Sequence, residues 1–570
     1  MHLFSSGAIL FALVLNCPPL GAVLPAPRQP SSNPVVQAVL SELKGFEAAA
    51  AGLFQNASAM SISIASVYED SPLLNLAYRP PVLNTSGTSV VDGDTVFRVG
   101  SVSKVFTVMG LLLLGDKVNM ADSVLKYLPE LEDLKEQQDQ HNAVTTVNWE
   151  GVTLDALASQ LSGVGGNVGS DLATVPLLDP QDFGLPLIDE DDFAMCGTSP
   201  FLSPCTWDDF SNNYGKRVPM YGPYTTPIYG NMAYSILARV IERVSGQSYE
   251  SYIQQSILEP LNMTRTYLAK PEDDTVGAGG YYSSSNDLAK FGRGILSYQL
   301  LSEAATKAWL KPRSHTASLG ISVGSPWEIG RANNLTVDGR VIDVYTKNGG
   351  VGDYLSLFIL VPDYGLVLSI ESAGELSRGA IQFGISDIIL PPLVRALEAA
   401  GKAEAQTVYA GTYTGASTNS TVTLEIDNEA GLHVASWIID GRDIKEAYIR
   451  LSSALGAPAG PPYLVVRLVP AQLEGGGQVA WRAVFVTTPP EAVPQINQLF
   501  IIHMACQSWF NMDPITYGMR SLNEFIFQVD EDAGKAGSLI LPAFRQTLKR
   551  KSCGRAARPS VPRQLTQEIC

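Results

Sequence analysis

Hydrophobic and polar positions along this chain follow helical and strand-like patterns that are mixed together up to about residue 400. Apolar residues recur at helical spacing in some stretches, alternate with polar residues in others, and form short continuous runs elsewhere. A Pro-Asp-Tyr-Gly turn separates two of the apolar runs. The pattern predicts helices over 34–53, 101–114 and 233–245, and strands over 60–67, 355–360 and 365–370.

Beyond residue 400 the strand pattern dominates. Residues 400–406 are predicted to be a linker. After them, runs rich in β-branched and aromatic residues are separated by Gly-containing turn signals. The predicted strands cover 421–426, 432–439, 463–469, 479–487 and 524–529. The sequence therefore predicts a mostly antiparallel β domain over 407–548, followed by a locally basic, loosely ordered tail over 549–570.

The first 22 residues are predicted to be a secretory signal peptide. Residues 7–15 are continuously apolar, which is too short for a bilayer span of about 20 residues. The basic end of the segment is weak, since only the amino terminus and His2 precede the apolar run. A buried first helix is the alternative. No later stretch reaches membrane-spanning length, so the sequence predicts a secreted protein without a membrane span.

Composition narrows the classes of partner. The chain has 570 residues, with 39 Lys and Arg against 56 Asp and Glu, which gives a net charge of −17. That balance argues against nucleic acid or an anionic membrane surface as the main partner. With 45% hydrophobic and 17% charged residues, the chain can bury a large core. The histidines lack the spacing of metal ligands, so no metal site is predicted: His141, His315, His433 and His503.

Two further features favour export. Five Asn-X-Ser/Thr sequons are candidate glycosylation sites: Asn56, Asn84, Asn262, Asn334 and Asn419. Cys196 and Cys205 bracket a short loop and are predicted to form a local disulfide in an oxidising compartment. One further pair is expected among Cys506, Cys553 and Cys570, and the sequence leaves open which two cysteines form it.

Ser101 and Lys104 are the first candidate catalytic pair. They stand three positions apart at the start of an apolar helix, so their side chains share one face. A Ser hydroxyl needs a base to become a nucleophile, and no nearby His or Gly-x-Ser-x-Gly motif supplies one. A Lys can act as that base when burial lowers its pKa. In an apolar helix an unpaired ammonium is costly, so Lys104 needs a partner or a function.

Three later segments add polar groups. Tyr229, in Tyr-Gly-Asn, can relay a proton to a leaving group, and Asn231 can hold Lys104 and a substrate carbonyl. Lys347 opens a Lys-Asn-Gly-Gly segment and can supply positive charge for a substrate carboxylate. Gly349 and Gly350 allow close approach of a substrate to the backbone. Residues 277–291 are assigned backbone packing only, and the irregular stretch 167–222 is interpreted as an insertion that can wall a cleft.

The amides of Gly350 and Ser101 can together form an oxyanion hole.

Four motifs of the chain, in this order along the sequence, resemble those of the serine β-lactamase-related superfamily: FRVGSVSKVFT, YGN, AGGYYSSSNDLAKF and KNGG. The resemblance extends over residues 35–400. The members of this superfamily whose motifs are most similar to these are class C β-lactamases, D-alanyl-D-alanine carboxypeptidases, D-aminopeptidases, esterases and polyketide-tailoring transacylases. The segment 409–413 is also similar to the start of the β-barrel domain that follows in several of these hydrolases.

This resemblance implies an α/β (α+β) fold: an antiparallel sheet flanked by helices, with a helical subdomain and the active site between them, plus a C-terminal antiparallel β-barrel-like domain. It implies that Ser101 is the acylated nucleophile and Lys104 its general base. Tyr229 would be the proton relay, Asn231 a positioning residue and Lys347 the cation of the last motif. No cofactor is implied.

The chain departs from the family pattern at several positions that shape the pocket. Asn348 replaces Thr or Ser, Gly230 replaces Ser or Ala, Gly350 replaces a frequent Ser, and Gln160 stands where a His is usual. The expected partner is a small-molecule or peptide substrate, and lactams, D-amino-acid peptides and esters all remain open. The alternatives to hydrolysis are acyl transfer in natural-product tailoring and a non-catalytic binding or scaffold protein. The sequence does not indicate the oligomeric state.

Overall fold

The structure covers most of the chain, with gaps. The computed structural model describes residues 21–46, 58–83, 87–139, 141–168, 171–174, 179–197, 202–203, 205–268, 276–374, 379–454, 463–486, 513, 515–530 and 533–551. The chain forms two units. The large unit comprises Gln29–Ala332 and Val341–Leu393, and the barrel unit comprises Met1–Arg28, Asn333–Arg340 and Val394–Cys570.

Eleven α-helices lie in the described residues. They are α1 (Pro34–Lys44), α2 (Ser103–Leu113), α3 (Leu154–Ala158), α4 (Trp207–Asn213), α5 (Met232–Ser245), α6 (Tyr249–Ile253), α7 (Val276–Gly279), α8 (Ser285–Leu296), α9 (Glu303–Trp309), α10 (Gly379–Val408) and α11 (Ile444–Ala454). Short 3₁₀ turns connect many of them, and one of these turns, Gly100–Val102, leads directly into α2.

The strands of the large unit are β1 (Ser58–Ser66), β2 (Leu74–Tyr78), β3 (Val96–Arg98), β4 (Tyr267–Leu268), β5 (Tyr281–Ser284), β6 (Ser314–His315), β7 (Ile321–Val323), β8 (Glu328–Ala332), β9 (Ile342–Val351), β10 (Tyr354–Val361) and β11 (Leu366–Gly374). Eight of them form one antiparallel sheet in the order β2-β1-β11-β10-β9-β8-β7-β6. A smaller sheet has the order β3-β5-β4.

Helix α2 runs through the core of the large unit. Its residues from Ser103 to Leu111 are all buried, as expected for a helix that is apolar on every side. The ring of Phe106 stacks on Phe291 of α8 and on Tyr281 of β5, at centroid distances of 4.3 and 5.0 Å. Helix α8 also packs on β1 and β11. The start of α2 is therefore held firmly against the main sheet.

The strands of the barrel unit are β12 (Gly411–Thr414), β13 (Thr421–Glu425), β14 (Leu432–Ile439), β15 (Arg442–Asp443), β16 (Val465–Gly475), β17 (Gln478–Val486), β18 (Thr516–Tyr517), β19 (Arg520–Ser521), β20 (Glu524–Asp530), β21 (Lys535–Leu541) and β22 (Gln546–Arg550). Pairing of β13 with β14 closes eight of them into a barrel in the order β13-β12-β22-β21-β20-β17-β16-β14. Its interior is filled by buried aromatic residues, including Tyr413, Trp437, Trp481 and Phe527.

The predicted elements are present, and three details of the prediction were wrong. Residues 400–406 are not a linker, because they lie inside α10. The tail does not begin at residue 549, because β22 continues to Arg550. Helix α1 ends at Lys44 and Gly45 is a turn residue, so one continuous helix over 34–53 was wrong; residues 47–53 of that prediction lie outside the described residues. Residues 1–20 and 552–570 lie outside the described residues, so the signal peptide and the remaining tail stay predictions.

The cysteine and sequon predictions have separate outcomes. Cys196 and Cys205 form the expected disulfide. The sequon residues Asn262, Asn334 and Asn419 are exposed. The other sequons and cysteines lie outside the described residues: Asn56, Asn84, Cys506, Cys553 and Cys570. Within the described ranges, none of the helices has both the length and the hydropathy that a membrane crossing needs.

Candidate active site

Ser101 lies in the 3₁₀ turn at the start of α2, beside the main sheet. The preceding Gly100 adopts a left-handed backbone conformation, with φ +48°. A Cβ atom on Gly100 would lie 2.7 Å from the backbone nitrogen of Gly350 in β9. Only glycine suits both the backbone angle and the close approach of this strand. The turn thereby places Ser101 next to the Gly349-Gly350 segment.

Lys104 lies one helical turn after Ser101 and is completely buried. Its Nζ atom contacts three oxygen atoms: Ser101 Oγ at 2.9 Å, Asn231 Oδ1 at 2.6 Å and the Ala278 carbonyl oxygen at 2.8 Å. Asn231 immediately precedes α5, and Ala278 belongs to α7. Three elements far apart in sequence therefore supply the partner that the apolar surroundings of this Lys require.

Burial lowers the pKa of Lys104 well below its ordinary value, and the positive charge of Lys347 lowers the pKa further, while Glu328 opposes the shift. The contacts fit a neutral amine. Two of the three partners, Asn231 Oδ1 and the Ala278 carbonyl oxygen, can only accept hydrogen bonds, so they take the two N–H groups. The lone pair is then directed at the hydroxyl of Ser101, and in this form Lys104 can accept its proton.

Tyr229 is the second side chain in contact with the Ser101 hydroxyl. Its hydroxyl donates a hydrogen bond of 2.6 Å to Ser101 Oγ. The Tyr229 ring lies 5.0 Å from the Nζ atom of Lys104 and 5.4 Å from that of Lys347, measured to the ring centre. The phenol thus lies close to two lysine side chains, and about half of its surface is exposed. A group in this position can pass a proton between Ser101 and a leaving group.

The loop that carries Tyr229 is fixed by Gln160, which stands where the family usually has a His. Gln160 is buried, and its side-chain Oε1 accepts a hydrogen bond of 2.8 Å from the Gly230 amide. Its backbone carbonyl accepts another of 2.8 Å from the Ile228 amide. The two bonds hold the residues on both sides of Tyr229. Gln160 therefore positions the tyrosine without touching Ser101.

Lys347 is paired with a carboxylate of the chain itself. Its Nζ atom lies 2.6 Å from Glu328 Oε1 and 2.8 Å from the Asn348 carbonyl oxygen. The Lys347 side chain is only 1% exposed. The expected role of this ammonium towards a substrate carboxylate stays a prediction. Glu328, at the start of β8, is a site residue that the sequence did not reveal.

Gly349 and Gly350 lie in β9 directly beside the turn that carries Ser101. A Cβ atom on Gly349 would overlap the Val99 carbonyl oxygen and lie 2.8 Å from the backbone nitrogen of Ser101. The segment is thus packed too tightly for any side chain at Gly349. This proximity brings the backbone amides of Ser101 and Gly350 to the same edge of the site.

Ala278 also belongs to the site, although the sequence predicts only backbone packing for residues 277–291. Its carbonyl accepts a hydrogen bond from Lys104. Close packing is present as well, since a Cβ atom on Gly277 would lie 2.5 Å from the Tyr234 carbonyl oxygen. A backbone acceptor leaves no signal in residue identity. In the part of the chain that the structure describes, no cluster of three His, Cys, Asp or Glu side chains suits a metal ion.

Two family profiles match this chain. The first, described as beta-lactamase, matches residues 46–379, which is more than half of the chain. The second, described as the C-terminal domain of a beta-lactamase-like group, matches residues 401–552. Together they cover most of both units.

Individual relatives match along nearly the whole length. A beta-lactamase-like protein of Arthroderma benhamiae is 28% identical, over 95% of this chain and 97% of its own. The probable hydrolase clz13 of Cochliobolus lunatus is 26% identical, over 94% of this chain and 91% of its own. Among solved structures, the octameric penicillin-binding protein homologue from Pyrococcus abyssi aligns at 17% identity with a TM-score of 0.45, over 89% of this chain and 99% of its own.

Proposed function

The chain belongs to the beta-lactamase family of hydrolases, and from this premise we propose that it is a serine hydrolase that works through an acyl-enzyme on Ser101. The observation that carries the proposal is the contact of one hydroxyl with two proton-transfer groups. Ser101 Oγ lies 2.9 Å from Lys104 Nζ and 2.6 Å from the Tyr229 hydroxyl. A serine that only capped a helix would need neither group.

In the first half of the reaction the neutral amine of Lys104 takes the Ser101 proton as Oγ bonds to the carbonyl carbon of an ester or amide. The carbonyl π electrons move to oxygen and form a tetrahedral oxyanion. When the oxyanion collapses, the bond to the leaving alkoxide or amine breaks. Tyr229 gives its proton to the leaving group and regains one from the Lys104 ammonium. The product of this half is an ester between the acyl group and Ser101.

In the second half a water molecule attacks the acyl-enzyme carbonyl. Its proton passes to the amine of Lys104, directly or through Tyr229, and the second oxyanion collapses to release the carboxylic acid. Ser101 Oγ then recovers its proton from Lys104, so the enzyme returns to its starting state. In both halves the backbone amides of Ser101 and Gly350 stabilise the oxyanion, a role supported by the close approach of Gly349 to the Ser101 turn.

The direct test is hydrolysis of a neutral aryl ester, such as p-nitrophenyl butyrate, by the wild type and by Ser101→Ala. The proposal requires that Ser101→Ala lose turnover while its thermal unfolding midpoint stays within about 2 °C of the wild type, because the half-buried Ser101 is a small side chain. Full turnover by Ser101→Ala would sink the mechanism.

We also propose that the chain is secreted and glycosylated. The support is the apolar segment at residues 7–15, the Cys196–Cys205 disulfide and the exposure of the sequon residues Asn262, Asn334 and Asn419. Intact-mass measurement of the protein from the culture medium, before and after enzymatic removal of N-glycans, tests both statements. A protein that stays inside the cell at its full unglycosylated mass contradicts them.

A further inference from the structure

We propose, building on the serine hydrolase function above, that Glu328 makes this site select substrates without a carboxylate beside the scissile bond, namely neutral esters or amides. Glu328 opens β8 and lies opposite Thr346 in the neighbouring strand β9, one residue before Lys347. It pairs with Lys347 and is the more exposed member of the pair, so its charge faces a substrate that approaches this cation.

The charge of Lys347 is already balanced by a carboxylate of the chain itself. Two acceptors hold its ammonium, Glu328 Oε1 at 2.6 Å and the Asn348 carbonyl at 2.8 Å. Its side chain is 1% exposed, whereas that of Glu328 is 31% exposed. A solute that enters from solvent therefore meets the carboxylate of this pair before it meets the ammonium.

Asn348 stands where Thr or Ser is usual in the family pattern, and it also binds Glu328. Its side-chain Nδ2 donates to Glu328 Oε2 at 2.6 Å, and its backbone amide donates to the same oxygen at 3.1 Å. Both donors are thus directed at the protein's own carboxylate. The side chains of Lys347 and Asn348, which could bind a substrate carboxylate, therefore both hydrogen-bond to Glu328.

An anionic substrate that approaches Lys347 would meet the negative charge of Glu328. A substrate carboxylate can reach the ammonium of Lys347 only by displacing Glu328, which would lose three hydrogen bonds. If Glu328 stayed in place, two carboxylates would face each other across the same cation, and like charges so close repel strongly. A neutral ester or amide avoids both costs.

The experiment compares two esters that differ in one charge, 3-acetoxybenzoate and its methyl ester, whose rates are corrected for hydroxide-catalysed hydrolysis. For each enzyme the selectivity is the ratio of kcat/KM for the methyl ester to kcat/KM for the carboxylate. We expect a wild-type ratio above about 10, and a ratio at least about tenfold lower in Glu328→Gln, because like-charge contact costs more than one factor of ten. The ratio does not depend on the fraction of folded enzyme.

The matched control is Asp343→Asn. Asp343 lies in the same strand as Lys347 and pairs with Arg331 of β8 at 3.2 Å, so this variant removes a carboxylate from the same two strands at a different position. Its selectivity ratio should equal that of the wild type. If Glu328→Gln fails to fold, the wild-type ratio alone still tests the inference. A wild-type preference for the carboxylate ester overturns it.

The outcomes also separate this inference from the proposed function. Equal ratios in wild type and Glu328→Gln, with turnover that still requires Ser101, overturn the selectivity and leave the serine hydrolase standing. A fall in the ratio that Asp343→Asn reproduces also overturns it, because the effect would then follow from net charge. Absence of Ser101-dependent hydrolysis of the methyl ester overturns the proposed function, and the inference with it.

Discussion

The Nζ atom of Lys104 lies 2.9 Å from the Oγ atom of Ser101, inside a helix that is otherwise apolar. An isolated ammonium at a fully buried position would cost several kcal/mol. Here the lowered pKa of Lys104 favours the uncharged amine, which avoids that cost. Acceptors from α7 and from the residue before α5 bind its N–H groups. The same burial that makes the charge unfavourable makes the neutral amine available as a base.

The first prediction concerns Lys104 and pH. Because burial lowers the pKa of Lys104 from 10.5, the active neutral amine forms below that value, and kcat/KM should rise with pH along a limb that lies below pH 10.5. Lys104→Met should reduce kcat/KM by about 10²–10⁴-fold, the usual contribution of a general base. Initial rates across pH 5–10 measure both effects.

The matched control for this change is Lys135→Met. Lys135 is partly exposed and pairs with Glu132 at 2.8 Å, far along the chain from the site residues. Its rate and pH profile should match the wild type. An undiminished rate in Lys104→Met would remove the base from the mechanism.

The second prediction concerns Tyr229, whose hydroxyl is expected to protonate the leaving group. Tyr229→Phe keeps the ring close to the two lysines and removes only the oxygen that donates to Ser101. An ethyl ester, which needs a proton on its leaving group, should lose about 10²-fold in kcat/KM, and a p-nitrophenyl ester should lose less. Equal losses for the two esters would argue against a proton relay. Tyr267→Phe, at an exposed tyrosine stacked on Tyr282, is the control and should leave both rates unchanged.

The third prediction concerns the close approach of β9 to the Ser101 turn. In Gly349→Ala the added Cβ atom overlaps the Val99 carbonyl and must push the strand from the turn. A displacement of about 1 Å between reacting groups costs about 10²-fold in rate, so kcat should fall by that order. Gly330→Ala in the adjacent strand is the control, because its nearest neighbour would be 3.9 Å away. Wild-type kcat in Gly349→Ala would show that this contact does not set the site geometry.

The fourth prediction concerns Glu371, a fully buried carboxyl in β11 that takes no part in the proposed reaction. Burial raises its pKa from 4.5 to about 8, while a hydrogen bond from Ser369 acts in the opposite direction. Between these two values the folded state holds a proton that the unfolded state has lost, so the contribution of Glu371 to stability is largest at low pH and falls as pH rises towards 8. The fall attributable to this residue is up to about 4 kcal/mol.

Glu371→Gln should remove most of this fall, because the amide stays neutral at every pH. Urea unfolding midpoints at pH 5 and pH 8 measure it, with Glu303→Gln, at an exposed carboxylate paired with Lys307, as the control. We expect the midpoint difference between the two pH values to shrink in Glu371→Gln and to stay wild-type in the control. An unchanged difference in Glu371→Gln would show that the carboxyl is not held neutral by burial.

Predictions from the spacing of apolar residues agree with the structure where a long apolar run or a clear alternation indicates a single type of element. The apolar run around Lys104 gave both a buried helix and the need for a partner. The linker prediction failed because the residues around Gly401 are Ala, Glu, Lys and Gln, which are strong helix formers and continue α10 through this glycine. Strand β22 was missed because its sequence, QTLKR, is largely polar.

The partners of the site were harder to predict than its main residues. Glu328 lies 19 residues before Lys347 and meets it only because β8 and β9 are neighbours in the sheet. Nothing local distinguishes this glutamate from a solvated one. Ala278 acts through its backbone carbonyl, which every residue possesses. Such contacts depend on strand order and helix packing, and a single sequence does not specify either.

Intact-mass spectrometry of the protein after exposure to a fluorophosphonate, with peptide mapping of the modified residue, tests directly whether Ser101 is an activated nucleophile. We expect one adduct, on Ser101, which forms in the wild type, forms more slowly in Lys104→Met, and does not form in Ser101→Ala. An unmodified wild type, or an adduct that persists in Ser101→Ala, would contradict an activated Ser101 and would favour a binding or scaffold protein that keeps the fold.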